Sequence, residues 1–226
     1  MDFNKKYLKY KNKYFKLKNK NKVKDLINSK KIKVIVSRYN EDISWLNKVK
    51  DFVILYNKGK DDLKDWNAIK LKNVGRETDT YLNYIIENYN NLPDICIFTQ
   101  GNIKDHYYGG YKYLLKLGVE ALNNGISKPQ KNYPSTGNFN NMEKFNNYKY
   151  YDDKKILFRD WFEKNLGLKY PKNITYFGGA IFAVSRSNIL KNDLNFYKKM
   201  LKYVSHDINP MEGHFIERSW YYIFTK

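Results

Sequence analysis

The chain is poor in the residues that most often build metal centres and cross-links. Its 226 residues include one cysteine, Cys96, and three histidines, His106, His206 and His214. A lone cysteine excludes an intramolecular disulfide and any zinc site built on paired thiolates. Cys96 lies in the apolar run Ile95-Cys96-Ile97-Phe98, where it reads as a small buried hydrophobe. The histidines are dispersed, so they meet at a metal only if the fold gathers them, and scattered histidines are more often surface or hydrogen-bonded core residues. Walker-type phosphate loops, the HExxH zinc motif and the G-x-S-x-G nucleophile elbow are all missing. No run of 18 apolar residues occurs, and the first 30 residues lack the apolar core of a signal peptide. The expectation is a soluble, intracellular chain with no membrane span.

Positive charge, by contrast, is abundant. The net charge is +19, and it is uneven. Residues 1–31 hold 12 Lys against Asp2 and Asp25, a net of +10, and the other 195 residues carry +9. Such a field suits nucleic acid, acidic lipid or phosphorylated ligands, and also suits plain solubility. The basic segment repeats itself with a period of seven, as Lys6-Tyr7-Leu8-Lys9-Tyr10-Lys11-Asn12 and Lys13-Tyr14-Phe15-Lys16-Leu17-Lys18-Asn19. Phe3, Tyr7, Tyr10, Tyr14 and Leu17 share one helical face. Residues 1–30 therefore read as a basic amphipathic helical arm, able to pack on the main domain, self-associate or lie on an anionic surface. Nucleic acid is a possible partner of this arm.

Apolar residues make up 42% of the chain, enough for one core, and residues 31–226 read as one α/β domain. Ile32, Val34 and Val36 begin a buried strand with Ile35 on its other face. Ser44 to Lys50 reads as a short helix, Phe52 to Tyr56 as a second strand, and Ala68 to Leu71 as a weaker third. Thr78 to Tyr89 reads as a helix and Asp94 to Thr99 as a fourth strand. Near-continuous apolar strands alternating with helices imply a mostly parallel sheet covered on both faces. Lys112 to Leu122 reads as helix. Residues 125–153 are polar and without period, as in a long loop or insertion. Lys154 to Leu166 is helical, Ile174 to Val184 is strand-like with a break at Gly178-Gly179, and Leu194 to Val204 and Phe215 to Phe224 close the chain as helices.

Three polar clusters fall at strand ends. They are Arg38, Asn40, Glu41 and Asp42; Asn73, Gly75, Arg76 and Glu77; and Gln100, Asn102, Asp105 and His106. In a parallel sheet these ends lie along one edge, where open α/β folds bind ligands. Gly75 permits close backbone approach, the following helix offers N–H groups to an anion, and Arg76 adds a forked donor. Arg76 and Glu77 read equally well as an ion pair at a helix start. Trp45 reads as core. A fourth cluster, Met211 to Trp220, sets Glu212 and Glu217 in an apolar helix. There a carboxylate is either a base of raised pKa or the partner of an Arg.

These residues resemble a family of unknown function, domain-of-unknown-function family 3431, found in fungi and giant viruses. The similar pieces are Arg38 to Leu46, Tyr56 to Gly59, Asn73 to Glu77 with Tyr81-Leu82, Leu92-Pro93-Asp94 with Phe98 to Gly101, Gly179 to Val184, and Glu217 to Trp220 with Phe224. The N-terminal Lys-Tyr-Leu-Lys-Tyr pattern looks like those of Mimivirus-type giant-virus proteins. More distantly the layout resembles the GT-A glycosyltransferase fold. That resemblance implies a nucleotide-sugar donor held by Arg38, Asn40, Glu41, Asn73, Gly75, Arg76, Gln100 and Asn102. It places the acceptor, a glycan or protein, beside His106, Gly178 and Gly179, and makes Glu217 or Glu212 the base. It also implies a divalent metal on an Asp-x-Asp motif, but this chain has Gln100-Gly101-Asn102 there. Amides are poor ligands for a hard cation. Either no metal binds, or Asp105 or His106 supplies a ligand, or activity is lost. The expectation is a sugar transferase, metal-independent or with a rearranged metal site. The alternatives are a non-catalytic module binding a glycan or protein in the same cleft, and a basic nucleic-acid-associated protein.

Overall fold

The computed structural model describes residues 31–134 and 148–226. The expected arm over 1–30, with its nucleic-acid reading, and the middle of the polar stretch lie outside the described residues. Strand β1 (Ile32–Arg38) shows why the sheet forms. Ile32, Val34 and Val36 point to one face, where they join Ile43, Leu46 and Val49, while Ile35 points to the other, with Tyr81 and Phe98. Alternation with both faces apolar is the pattern of a strand covered on each side.

Strands β2 (Val53–Asn57) and β4 (Ile95–Gln100) pair with β1 in parallel on either side. Short β3 (Ile69–Lys70) extends the sheet beyond β2, also in parallel. β7 (Phe182–Ser185) closes the other edge antiparallel to β4, giving the order β3-β2-β1-β4-β7. The sheet is thus mixed but mostly parallel. From β1 the chain moves outward to β2 and β3, then crosses back through helix α1 (Arg76–Glu87) to β4 on the far side of β1. The reversal makes a switch point between β1 and β4, where a crevice opens beyond the strand ends.

The remaining helices are α2 (Tyr111–Asn124), α3 (Phe158–Leu166), the single turn α4 (Arg186–Ile189), α5 (Leu194–Val204) and α6 (Met211–Thr225). α2 and the 3-10 helix Ser44–Phe52 cover the Val34 and Ile97 face. α1, α3, α5 and α6 cover the Ile35 and Phe98 face. Aromatic rings fill that second core. Phe98 lies 4.9 Å from Tyr81 and 5.2 Å from Phe182, and Trp220 stacks on Phe224 at 5.4 Å. Truncating such a ring costs about 3–5 kcal/mol. Burial pushes the Cys96 thiol up to about 12, which makes it an inert core residue. No helix among the described residues is long and apolar enough to cross a membrane.

Several expectations need correction. Ile174 to Val184 is not one interrupted strand. β6 (Asn173–Tyr176) pairs antiparallel with β5 (Lys131–Pro134) in a separate two-stranded sheet, whereas β7 belongs to the main sheet. The chain changes sheets at Gly178–Ala180, where Gly179 (φ 63) and Ala180 (φ 52) are both left-handed. The polar stretch is likewise not structureless, since β5 lies within it and Ile126 bridges to Val184. α3 starts at Phe158 rather than Lys154, and α6 starts directly after Pro210, four residues before Phe215. Trp45 is only half-buried, and its indole N–H donates to the Gly101 carbonyl at 2.8 Å, tying the loop after β1 to the loop after β4.

Candidate functional site

At the switch point lies a cleft of about 210 Å³. The end of β1 and the following turn supply Ser37, Arg38, Tyr39 and Glu41, and Gln100 comes from the end of β4. Asn73, Arg76 and Glu77 come from the start of α1, and Lys58 from just beyond β2. Register brings these ends together: Arg38 pairs with Asn57 and Ser37 with Gln100. Five of the expected donor-side residues thus line one cleft: Arg38, Glu41, Asn73, Arg76 and Gln100. Three do not line it. Asn40 is exposed and packs against Gly59, Asn102 Oδ1 accepts the Lys104 N–H at 3.0 Å to hold a turn, and Gly75 shapes the backbone beneath.

The three cations of the cleft differ sharply. Arg38 is 5% exposed and its guanidinium is committed to the protein itself. It donates to the Glu41 carbonyl (2.8 Å), the Tyr39 carbonyl (3.1 Å), Asn57 Oδ1 (3.1 Å) and Asp61 Oδ2 (2.6 Å). Arg38, which the resemblance implied as a donor contact, is the clamp of the loop after β1. Lys58 is buried too, donating to the Val74 and Arg76 carbonyls at 2.5 Å and to Asp79 Oδ2 at 3.1 Å. Desolvation lowers its pKa, opposed by the Asp79 charge. Arg76 alone keeps an accessible guanidinium, 42% exposed. Its Nη1 meets His214 Nε2 at 3.2 Å and its Nε lies 3.8 Å from Glu77 Oε2, so the helix-start ion pair is present as well.

The backbone under Arg76 is unusual. Gly75 (φ 62) and Arg76 (φ 52) are both left-handed. A Cβ on Gly75 would sit 2.5 Å from Asp79 Cβ and 2.8 Å from the Val204 carbonyl, so only glycine fits. Arg76 has no such freedom, and its conformation costs about 1–3 kcal/mol, held by Lys58 through the Arg76 carbonyl. The Gly75 N–H is not open to an anion, because it donates to the Asp207 carbonyl at 2.8 Å.

Acids lie behind the cations. Glu77 is buried, and burial first, then the Glu217 charge, raises its pKa, while Arg76 lowers it. Glu217 Oε2 lies 3.4 Å from Arg218 Nη1 and 3.9 Å from His214 Nδ1. Glu217 therefore does have the arginine partner its helix context suggested, and it stands near enough to Glu77 to repel it. His214 is held neutral: burial, then Arg76 and Arg218, push its imidazole down to about 3. If Nε2 accepts from Arg76, the ring proton sits on Nδ1 and faces Glu217. The competing contact, Nε2 to Asn209 Oδ1 at 3.1 Å, needs the other tautomer.

On the opposite wall Gln100 Nε2 donates to the Gly179 carbonyl at 2.8 Å. The His106 ring lies so close over Gly179 that a Cβ there would fall 2.4 Å from His106 Cδ2, and Gly178 faces the Tyr107 hydroxyl. Gln100, His106, Gly178 and Gly179 thus meet as one group beside the cleft. The residues at the Asp-x-Asp position offer a hard cation no carboxylate, only amides, and Asn102 Oδ1 already accepts the Lys104 N–H. Among the described residues no three His, Cys, Asp or Glu side chains stand close enough to hold one. Asp105 and His106 are exposed with no third ligand beside them. The three histidines do not converge, since His206 contacts the Tyr151 ring instead.

Glu212 does not join this site. It lines a different cleft, with Trp161 and Tyr203. One residue that does matter was not singled out as a site residue from sequence, Lys58, which lines the cleft. Lys58 is the first residue after β2, and that strand-end position was the available signal.

A family model described as "Protein of unknown function (DUF3431)" matches residues 34–226. No curated protein and no solved structure matches the chain. With the match running from within β1 through the cleft and the six helices among the described residues, the chain belongs to the DUF3431 family of proteins of unknown function.

Proposed function

We propose that this chain is a glycosyltransferase-like protein of GT-A type that moves a sugar from a nucleotide-sugar donor without a divalent metal. The observation that carries the reading is Arg76, a half-exposed guanidinium on a strained backbone at the switch-point cleft. In this reading the donor diphosphate lies against Arg76, which neutralises the leaving group as charge develops on it. Asn73 and Gln100 flank the nucleotide, and His106, Gly178 and Gly179 mark the acceptor side. The base is the Glu77–Glu217 pair. Burial, then the Glu217 charge, raises the Glu77 pKa, so Glu77 accepts the proton of the acceptor hydroxyl as its oxygen bonds to the sugar carbon and the carbon–phosphate oxygen bond breaks. Glu77 lines the cleft, and Glu217 acts behind it.

Thermal denaturation with UDP-, GDP- and CMP-sugars, with and without Mn²⁺, tests this. One donor is expected to raise the melting temperature by several degrees, and Arg76→Ala to remove the shift. Folded protein that responds to no donor sinks the reading, and a shift that requires Mn²⁺ sinks its metal-free part. A non-catalytic binding module is the second reading. It is favoured by the commitment of Arg38 and Lys58 to internal partners, and it predicts glycan or protein binding without sugar-nucleotide turnover.

A further inference from the structure

A second cleft, of about 240 Å³, opens beside the first turn of α6. Tyr151, Trp161, Asn165, Tyr203 and Glu212 line it, with exposed Lys154 and Lys164 at its rim. Glu212 is 2% exposed. Its Oε1 accepts the Tyr151 N–H at 3.0 Å, but its Oε2 is buried with no hydrogen-bond partner. Trp161 is 1% exposed, and its indole N–H is also unpartnered. Asn165 is fully engaged: its Nδ2 donates to the Trp161 carbonyl at 2.9 Å and its Oδ1 accepts from the Tyr203 hydroxyl at 3.1 Å. Two residues of the cleft wall therefore carry one unanswered acceptor and one unanswered donor among aromatic rings. Those rings form a corner, Tyr203 meeting Tyr151 at 5.1 Å and 84° and Trp161 at 6.2 Å and 70°.

The turn that supplies the Tyr151 N–H is strained as well. Asp152 (φ 55) and Asp153 (φ 54) are consecutive left-handed residues, neither of them glycine. Buried polar atoms are nearly always paired, so two unpaired ones on residues that line one cleft ask for an occupant. Their combination restricts its chemistry. An anion would satisfy the indole but meet Glu212, and an ammonium would satisfy Glu212 and leave the indole bare. A hydroxyl both donates and accepts, so neighbouring hydroxyls satisfy both atoms. Burial raises the Glu212 pKa, and hydroxyls serve its protonated form equally well. An aromatic corner suits the apolar C–H face of a pyranose ring.

We infer that this cleft binds a neutral saccharide unit, with Glu212 and Trp161 as its polar contacts and Tyr151 and Tyr203 as its platform. The inference stands apart from the transferase reading, because Arg76 and the switch-point cleft contribute nothing to it.

The test is an NMR titration of the whole 226-residue chain with methyl β-glucoside, methyl β-galactoside, methyl α-mannoside and N-acetylglucosamine. The probe is the Trp161 indole N–H resonance, assigned in the wild-type chain. One sugar is expected to move that resonance and saturate at roughly millimolar concentration. Glu212→Gln should weaken the binding at least tenfold, and Arg76→Ala should leave the curve unchanged. A Trp161 resonance unmoved by every sugar up to on the order of 100 mM overturns the proposal and leaves buried water as the partner of both atoms. Unchanged affinity in folded Glu212→Gln overturns it too. The wild-type titration stands even if that variant does not fold.

Discussion

Two clefts flank the start of α6, served by side chains two residues apart. His214 faces the switch-point cleft through Arg76, and Glu212 faces the other. In the first, charge is met by charge: Arg38 by Asp61, Lys58 by Asp79, Glu77 by Arg76, and Glu217 by Arg218. In the second, a carboxylate oxygen and an indole N–H have no partner. A saturated network fixes geometry, and each member becomes costly to remove. An unsaturated one is costly as it stands, and its cost falls when something fills it. Deleting polar groups should therefore hurt on one side of α6 and be tolerated on the other.

The largest effect is expected at Lys58. Its side chain is 3% exposed and that of Asp79 is 5% exposed, so Lys58→Ala strands a buried carboxylate that keeps the Ser205 hydroxyl as its side-chain partner among the described residues. It also releases the Val74 and Arg76 carbonyls that hold the strained turn. The expected loss is about 3–5 kcal/mol, read from the urea midpoint. Replacing both partners, Lys58→Met with Asp79→Leu, should recover most of it, because a buried pair contributes little beyond an apolar pair of similar volume. A single-variant loss below about 1 kcal/mol would show that water reaches the pair.

His214 gives the next effect, and a pH signature. Its folded pKa of about 3 lies below its unfolded value of 6.5. Its contribution is therefore complete above pH 6.5 and is lost as the pH falls toward 3, since the unfolded chain takes up the proton first. Between pH 6.5 and 5 the loss is about 2 kcal/mol. His214→Gln should flatten that limb. Glu77 and Glu212 have raised pKa values and act with the opposite sign, so the informative quantity is the difference between wild type and variant. Equal slopes over this window would mean that Glu217 or solvent already stabilises the imidazolium.

The sequence showed the sheet more readily than the site. β1, β2 and β4 are legible because alternation and apolar runs are local, and their polar ends followed from the parallel arrangement. Arg38 was legible as a residue at a strand end but not as a clamp, because its acceptors come from Tyr39, Glu41, Asn57 and Asp61. β5 and β6 were hidden because each is four residues long and their pairing is non-local. In sequence, Glu212 and Glu217 read as interchangeable candidates for the base. Five residues along a helix is a rotation of about 140°, so the period itself separates them onto different faces.

The smallest expected effect belongs to Glu212, and its sign is the reverse of the others. Without ligand, Glu212→Gln removes a charge whose Oε2 is buried and unpartnered, while a similar shape still fills the space beside the Tyr151 N–H. Burial raises the folded pKa above 4.5, so the native carboxyl contributes most below pH 4.5, and that contribution is lost as the pH rises through the folded value. Glutamine does not titrate. The variant should match wild type near pH 4 and exceed it by on the order of 1 kcal/mol near pH 8, measured by urea denaturation at both values. A stabilising polar deletion on this side of α6, set against the large loss at Lys58 on the other, is what an unpartnered buried oxygen beside a buried ion pair predicts. Destabilisation at pH 8 would mean that the Glu212 charge already has a partner, and that the two clefts differ less than their hydrogen bonds indicate.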